Sequence, residues 1–306
     1  MGKIAFVFAG QGAQYPGMGQ DLGQASPAAA DLFRQADALR PGTTRQCFTG
    51  TEEELRETRI TQPCMFAVEL AAAAALTEAG ITADVTAGFS LGELAALTYA
   101  GAMDFEAGFQ LVSLRGQVMQ EASEEVPTAM AAVLKLDNEA VESVCAQFDQ
   151  VYPVNYNCPG QVTVAGLASQ MEGFAAAVKE AGGRAIPLKV SGAFHTPFMA
   201  TASEKFSKAL AEADVQDAKV TTYANCTGLP YEAGKVKELL DRQMCSPVRW
   251  ESIVRHMIAQ GVDTFVELGP GKTLSGFIGK IDKDVRTFHV SDAASLQETI
   301  EGVKGC

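Results

Sequence analysis

The sequence predicts an α/β protein, a parallel sheet with flanking helices, into which a smaller β-α-β-β-α-β module is inserted. Three observations carry this reading. Short, almost wholly apolar runs at residues 4–8, 85–87, 264–268 and 287–290 read as strands buried on both faces. Helical stretches with clear stop signals lie between them, the alternation of a parallel sheet. Between Pro127 and Gly192 the rhythm changes to shorter strands and helices.

In chain order, residues 4–8 (Ile-Ala-Phe-Val-Phe) form the first expected strand. Residues 62–79 are rich in strong helix formers and stop at Gly80. A strand at 85–87 runs into Gly88-Phe89-Ser90-Leu91-Gly92-Glu93, after which 91–100 reads as a helix. Residues 105–122 place Phe105, Phe109, Val112 and Met119 on one helical face. The inserted module then reads strand 129–136, helix 138–148, strands 151–156 and 162–167 joined through Cys158-Pro159-Gly160, helix 170–181 and strand 185–190. That order is the ferredoxin-like one. The expected division is therefore 1–126 with 192–306 as the large subdomain and 127–191 as the small one. A helix at 250–260 and the strands at 264–268 and 287–290 complete the large part.

Composition narrows the function. The net charge of −13 argues against nucleic-acid binding, which needs positive surface. An acidic partner would need a local basic rim, for which Arg184, Lys189, Lys280, Lys283 and Arg286 are the candidates. Seven cysteines, at 47, 64, 145, 158, 226, 245 and 306, show no C-x-x-C pair, so reduced thiols are expected rather than a disulfide framework or a zinc site. Residues 3–8 read as a strand and not as a signal-peptide core, and Glu69 and Glu78 bracket the alanine run 71–75 short of a membrane span. A soluble, cytoplasmic protein is expected.

The sharpest chemical signal is the G-x-S-x-G segment 88–92, in the strand–turn–helix context of a nucleophile elbow. A tight turn lifts Ser90 out of the sheet, and the helix start sets the Leu91 N–H beside it as an oxyanion donor. A serine needs a base, and the chain has three histidines. His256 reads as a helix-surface or packing residue and His289 as part of a terminal strand. His195 stands in a loop where the module rejoins the core, and a cleft forms at such junctions. Gln11, just past the first strand, is placed to offer a second oxyanion N–H. Gly271-Lys272-Thr273 lacks the first glycine of a P-loop, since residue 266 is valine. Arg115 lies mid-helix among apolar neighbours and wants a carboxylate or phosphate partner, an internal salt bridge being the simplest. The same elbow serves serine hydrolases such as thioesterases, and a catalytically silent scaffold would keep it as a fold element only.

Seven segments in order resemble the malonyl-CoA:acyl carrier protein transacylases. They are Phe8-Ala9-Gly10-Gln11-Gly12-Ala13-Gln14, the elbow 88–93, Arg115-Gly116-Gln117-Val118-Met119-Gln120, Asn157-Cys158-Pro159-Gly160-Gln161, Gly192-Ala193-Phe194-His195, Gln243 with Pro247-Val248-Arg249-Trp250, and Glu267-Leu268-Gly269-Pro270-Gly271-Lys272. The resemblance implies an α/β-hydrolase-like core with a parallel sheet plus an inserted ferredoxin-like small subdomain. It implies Ser90 as nucleophile, His195 as base oriented by an acceptor at Gln243, and Gln11 and Leu91 as the oxyanion hole. Arg115 would bind the acyl carboxylate, with Phe194, Met119 and Asn157 at the substrate, and Phe194 before the base marks malonyl-selective members. The substrates implied are malonyl-CoA and acyl carrier protein, for fatty-acid biosynthesis, with no cofactor, no metal and a monomeric state. One departure stands out: the family usually has histidine immediately before the nucleophile, and this chain has Phe89.

Overall fold

The computed structural model describes residues 2–190 and 192–305; Cys306 and Ser191, the expected last residue of the small module, lie outside them. Five strands form a wholly parallel sheet: β1 (Lys3–Phe8), β2 (Val85–Gly88), β7 (Thr221–Tyr223), β8 (Val262–Leu268) and β9 (Arg286–Val290), in the order β7-β2-β1-β8-β9. β1, at its centre, pairs Ala5 with Val85 on one side and with Phe265 on the other. The four expected strands are present, and β7 joins them as a fifth, its three residues too few to show in the apolar pattern. Ala5, Phe6, Val7 and Phe8 are all fully buried, because helices cover both faces of the sheet.

Helix Thr58–Glu78 is long and apolar enough to cross a membrane by length and composition, against the expectation from its bracketing glutamates. It is nevertheless the central core helix, with 83% of its most apolar window buried inside the fold. Helix Phe105–Glu125 packs along it.

The second sheet comprises β3 (Thr128–Leu134), β4 (Val151–Cys158), β5 (Gln161–Leu167) and β6 (Arg184–Pro187), antiparallel throughout in the order β4-β5-β3-β6. Helices Asn138–Cys145 and Ala168–Glu180 complete the β-α-β-β-α-β order, and their apolar faces meet the sheet around Val162, Val164 and Phe174. This sheet is stitched to the rest of the protein through β4. Tyr156 N–H donates to the Val248 carbonyl at 2.9 Å, and Val248 N–H to the Val154 carbonyl at 2.8 Å. That stitch fixes one wall of a cleft between the two sheets. The six described cysteines are free thiols.

Candidate active site

The site begins at the carboxyl end of β2, where the chain reverses into helix Gly92–Tyr99. Ser90 takes a left-handed φ of 56°, rare and strained for a residue with a Cβ. Both flanking glycines are required. A Cβ on Gly88 would overlap the main chain of Gly92 and Glu93, and one on Gly92 would sit 2.5 Å from the carbonyl oxygens of Phe8 and Ala9. Asn225, just past β7, clamps the turn from outside. Its Oδ1 accepts from Ser90 N–H at 2.7 Å, and its Nδ2 donates to the Gly88 carbonyl at 2.6 Å. The strain at Ser90 is thus held by hydrogen bonds on both sides.

Ser90 Oγ lies 2.8 Å from His195 Nε2. The histidine is itself in a left-handed turn, φ 64°, and is buried. Among the described residues its Nδ1 faces two acceptors only, the carbonyls of Gln243 at 3.0 Å and Ser246 at 3.1 Å. A proton must therefore sit on Nδ1, leaving Nε2 free to accept from the serine. Burial, and then the positive charge of Arg115, push the imidazole down to about 4, more than the two carbonyls restore, so the ring is neutral at neutral pH. A neutral imidazole is the form that accepts a proton.

Arg115 comes from helix Phe105–Glu125 and is 1% exposed. Its Nη2 donates to Ser90 Oγ at 3.1 Å and to Gln243 Oε1 at 2.8 Å, and its Nη1 to Gln62 Oε1 at 2.9 Å. Its Nε has no partner among the described residues. The internal salt bridge expected from residue type is absent among the described residues: every acceptor that touches the guanidinium is neutral. A buried cation without a contacting carboxylate, beside a serine and a base, is an anion-binding group in waiting. Burial lowers it to about 10, still well above neutral pH.

Two main-chain donors remain. Leu91 is fully buried, and neither its N–H nor that of half-buried Gln11 has an acceptor among the described residues. Buried N–H groups are almost always paired, so an unpaired one beside a nucleophile suits a developing oxyanion. The Gln11 side chain is turned away, its Nε2 donating to Thr58 Oγ1 at 3.2 Å.

The other expected residues take different places. Phe194 is buried beside the base. Met119 stands behind the guanidinium, its sulfur accepting from Gln62 Nε2 at 3.4 Å. Asn157 lies on β4, in a cleft of about 380 Å3 that Gln11, Phe89, Lys189 and Phe277 also line; its Nδ2 bonds Thr163, and its Oδ1 has no partner among the described residues. Phe89 packs on Trp250 and Phe277, ring centroids 5.6 and 6.4 Å away, and makes an apolar wall. Of the five basic candidates, Lys189 lines the cleft and Lys280 reaches Gln161 on its wall, but Arg286 pairs with Asp263 at 3.5 Å. His256 is tied to Tyr223 at 2.9 Å, away from Ser90. Sequence reasoning missed Gln62, Glu93 and Asn225. Asn225 alone carried a signal, as a polar residue at the carboxyl end of a parallel strand.

Comparison with known proteins gives the family. The family model described as "Acyl transferase domain" matches residues 5–296. The malonyl CoA-acyl carrier protein transacylase of Bacillus subtilis (strain 168) is 41% identical, over 99% of this chain and 98% of that protein. The crystal structure of the corresponding transacylase of Clostridium perfringens superposes with a TM-score of 0.96 at 36% identity, covering 99% and 98% of the two chains. A malonyl-transacylase solved in complex with its type II PKS acyl carrier protein gives 0.94 at 36% identity, covering 98% and 99%. With the whole chain covered at such identity, and with the serine, imidazole and guanidinium brought together, the protein belongs to the malonyl-CoA:acyl carrier protein transacylases.

Proposed function

We propose that the chain moves a malonyl group from coenzyme A to the phosphopantetheine thiol of an acyl carrier protein through an ester on Ser90. The observation that carries the choice of acyl group is Arg115, a buried guanidinium 3.1 Å from the serine oxygen and touched, among the described residues, only by neutral acceptors. Ser90 Oγ attacks the thioester carbonyl while its proton passes to His195 Nε2. The Leu91 and Gln11 N–H groups hold the tetrahedral oxyanion, each such donor being worth about 10²–10³ in rate. The carbon–sulfur bond breaks, and the coenzyme A sulfur leaves with the proton from His195. The carrier thiol then gives its proton to His195 and attacks the Ser90 ester; collapse returns that proton to the serine oxygen. The kinetics are ping-pong.

Gln243 supports the base through its main-chain carbonyl and the arginine through its side chain. Asn157 and Lys189 lie where the pantetheine arm would run, and Lys280 and Lys189 supply positive charge for an acidic carrier on this net-negative chain. In the same reading the enzyme is a cytoplasmic monomer of fatty-acid biosynthesis that needs no cofactor, with residues 127–191 as a small subdomain set into a large one.

Transfer to holo-carrier protein from malonyl-CoA and from acetyl-CoA tests the assignment. A charge-assisted pair contributes about 1.5–3 kcal/mol, so Arg115→Ala should cost malonyl roughly 10- to 150-fold more than acetyl. Equal losses for both would remove Arg115 as the carboxylate clamp.

A further inference from the structure

Glu93 is the second residue of helix Gly92–Tyr99 and is fully buried behind the elbow, out of contact with Ser90 Oγ. Its two oxygens accept from three groups. Oε1 takes the Tyr231 hydroxyl at 2.5 Å and the Asn225 N–H at 3.0 Å; Oε2 takes Gln243 Nε2 at 2.5 Å. That same Nε2 also donates to the Ser90 carbonyl at 2.7 Å, which leaves Gln243 Oε1 as the acceptor for Arg115 Nη2.

The amide of Gln243 has a donor end and an acceptor end, and only one orientation satisfies both neighbours. Turned over, its NH2 would confront the guanidinium, which can only donate, and its oxygen would confront a carboxylate and a carbonyl, which only accept. The carboxylate at position 93 makes that wrong orientation costly. We propose that Glu93 is a positioning residue for acyl selection: by fixing the Gln243 amide it holds the Arg115 guanidinium in place for the substrate carboxylate. This rests on Arg115 being the carboxylate clamp.

The control depends on charge and is therefore open to pH. Burial pushes Glu93 up to about 7, against the pull of its three donors and of Arg115. The titratable groups that face it are Arg115 from helix Phe105–Glu125, and Tyr231 and Cys226 from the segment after β7. Arg115 stays charged, since it is lowered only to about 10. The Tyr231 hydroxyl is raised well above its usual range and the Cys226 thiol to about 11, so both stay neutral near pH 7. Below that pH a proton on Glu93 becomes a donor that competes with the Gln243 amide for acceptors. Malonyl transfer should weaken there, whereas acetyl transfer, with no carboxylate to seat, should not.

The experiment measures kcat/KM for malonyl-CoA and acetyl-CoA from pH 5.5 to 8.5 (about 1.5 units either side of the expected midpoint) in the unmodified enzyme, Glu93→Gln and Arg115→Ala. Glu93→Gln should lower the malonyl-to-acetyl ratio by roughly 10- to 100-fold, the effect of one lost charge-assisted hydrogen bond. In the unmodified enzyme the ratio should fall with acidification through about pH 7, and Glu93→Gln should abolish that dependence. A ratio unchanged in soluble Glu93→Gln, while Arg115→Ala collapses it, overturns the role of Glu93 alone. A ratio unchanged in Arg115→Ala overturns the clamp as well. Should Glu93→Gln fail to fold, parallel malonyl and acetyl pH profiles in the unmodified enzyme overturn the proposal.

Discussion

Asn225 touches no reacting atom, yet Asn225→Ala should disable the enzyme. Its carboxamide satisfies two main-chain groups of the elbow, the Ser90 N–H at 2.7 Å and the Gly88 carbonyl at 2.6 Å. Alanine leaves both unpaired. An orphaned buried polar group costs about 1–3 kcal/mol; half-buried Ser90 admits some water, so the pair should cost roughly 2–4 kcal/mol. The turn it braces is also the strained one, since a left-handed residue with a Cβ carries about 1–2 kcal/mol of its own. Once the brace is gone, relaxation of Ser90 toward negative φ relieves strain and moves Oγ off the His195 nitrogen. At about 2.1 cal/mol/K of unfolding entropy per residue, about 1 kcal/mol moves the midpoint of a 306-residue chain by roughly 1.5–2 °C, so the melting midpoint should drop by about 3–8 °C. Asn225→Asp divides the effect: it keeps the acceptor for Ser90 N–H, loses the donor to Gly88, and sets a second carboxylate beside Glu93. The assay pairs thermal unfolding with the rate of malonyl transfer. Asn225→Ala melting within about 1 °C of the parent and transferring malonyl at the parent rate would refute the bracing argument.

Other outcomes follow from the same geometry. Because burial and Arg115 hold the His195 imidazole down to about 4, acetyl transfer should persist through mildly acidic pH and fall only as pH drops through about 4. The sign for stability is the same. Between about 4 and the ordinary 6.5 the unfolded chain binds a proton at this residue that the folded chain does not, so its contribution is complete above 6.5 and lost as pH falls toward 4. His195→Gln should make the melting midpoint rise less with increasing pH across that window than it does in the parent, since Glu93, raised to about 7, contributes the opposite slope in both; identical slopes would contradict the buried neutral imidazole. Gly88→Ala has no room for its methyl group against the main chain of Gly92 and Glu93, so neither soluble protein nor activity should survive, and an active variant would show that the turn is looser than described.

The elbow was legible in sequence because its constraint is local: two glycines, a serine and a strand-to-helix change within a few residues. The buried strands were legible for a similar reason, as apolar runs that no half-exposed element tolerates. β7 was not, since three residues with an exposed Thr221 carry no pattern. The partners of Arg115 were also hidden. Residue type favoured an internal salt bridge, whereas the fold brings Gln62 and Gln243 from 53 and 128 positions away and leaves the charge without a contacting carboxylate. Only the family resemblance pointed to an acyl carboxylate. The bracing contacts are longer-range still, Asn225 reaching Ser90 across 135 positions and Gln243 reaching Glu93 across 150. Phe89, the one residue the family resemblance marks as unexpected, forms an aromatic wall on Trp250 and Phe277 beside the left-handed Ser90 turn.

The central claim is a covalent one, and intact-mass spectrometry after mixing with malonyl-CoA alone reads it directly. The enzyme should gain the mass of one malonyl group, mapped by proteolysis to the peptide containing Ser90, and hold it until a carrier thiol is added. Free malonate released without any acylated protein, or a label on a peptide that lacks Ser90, would contradict the account.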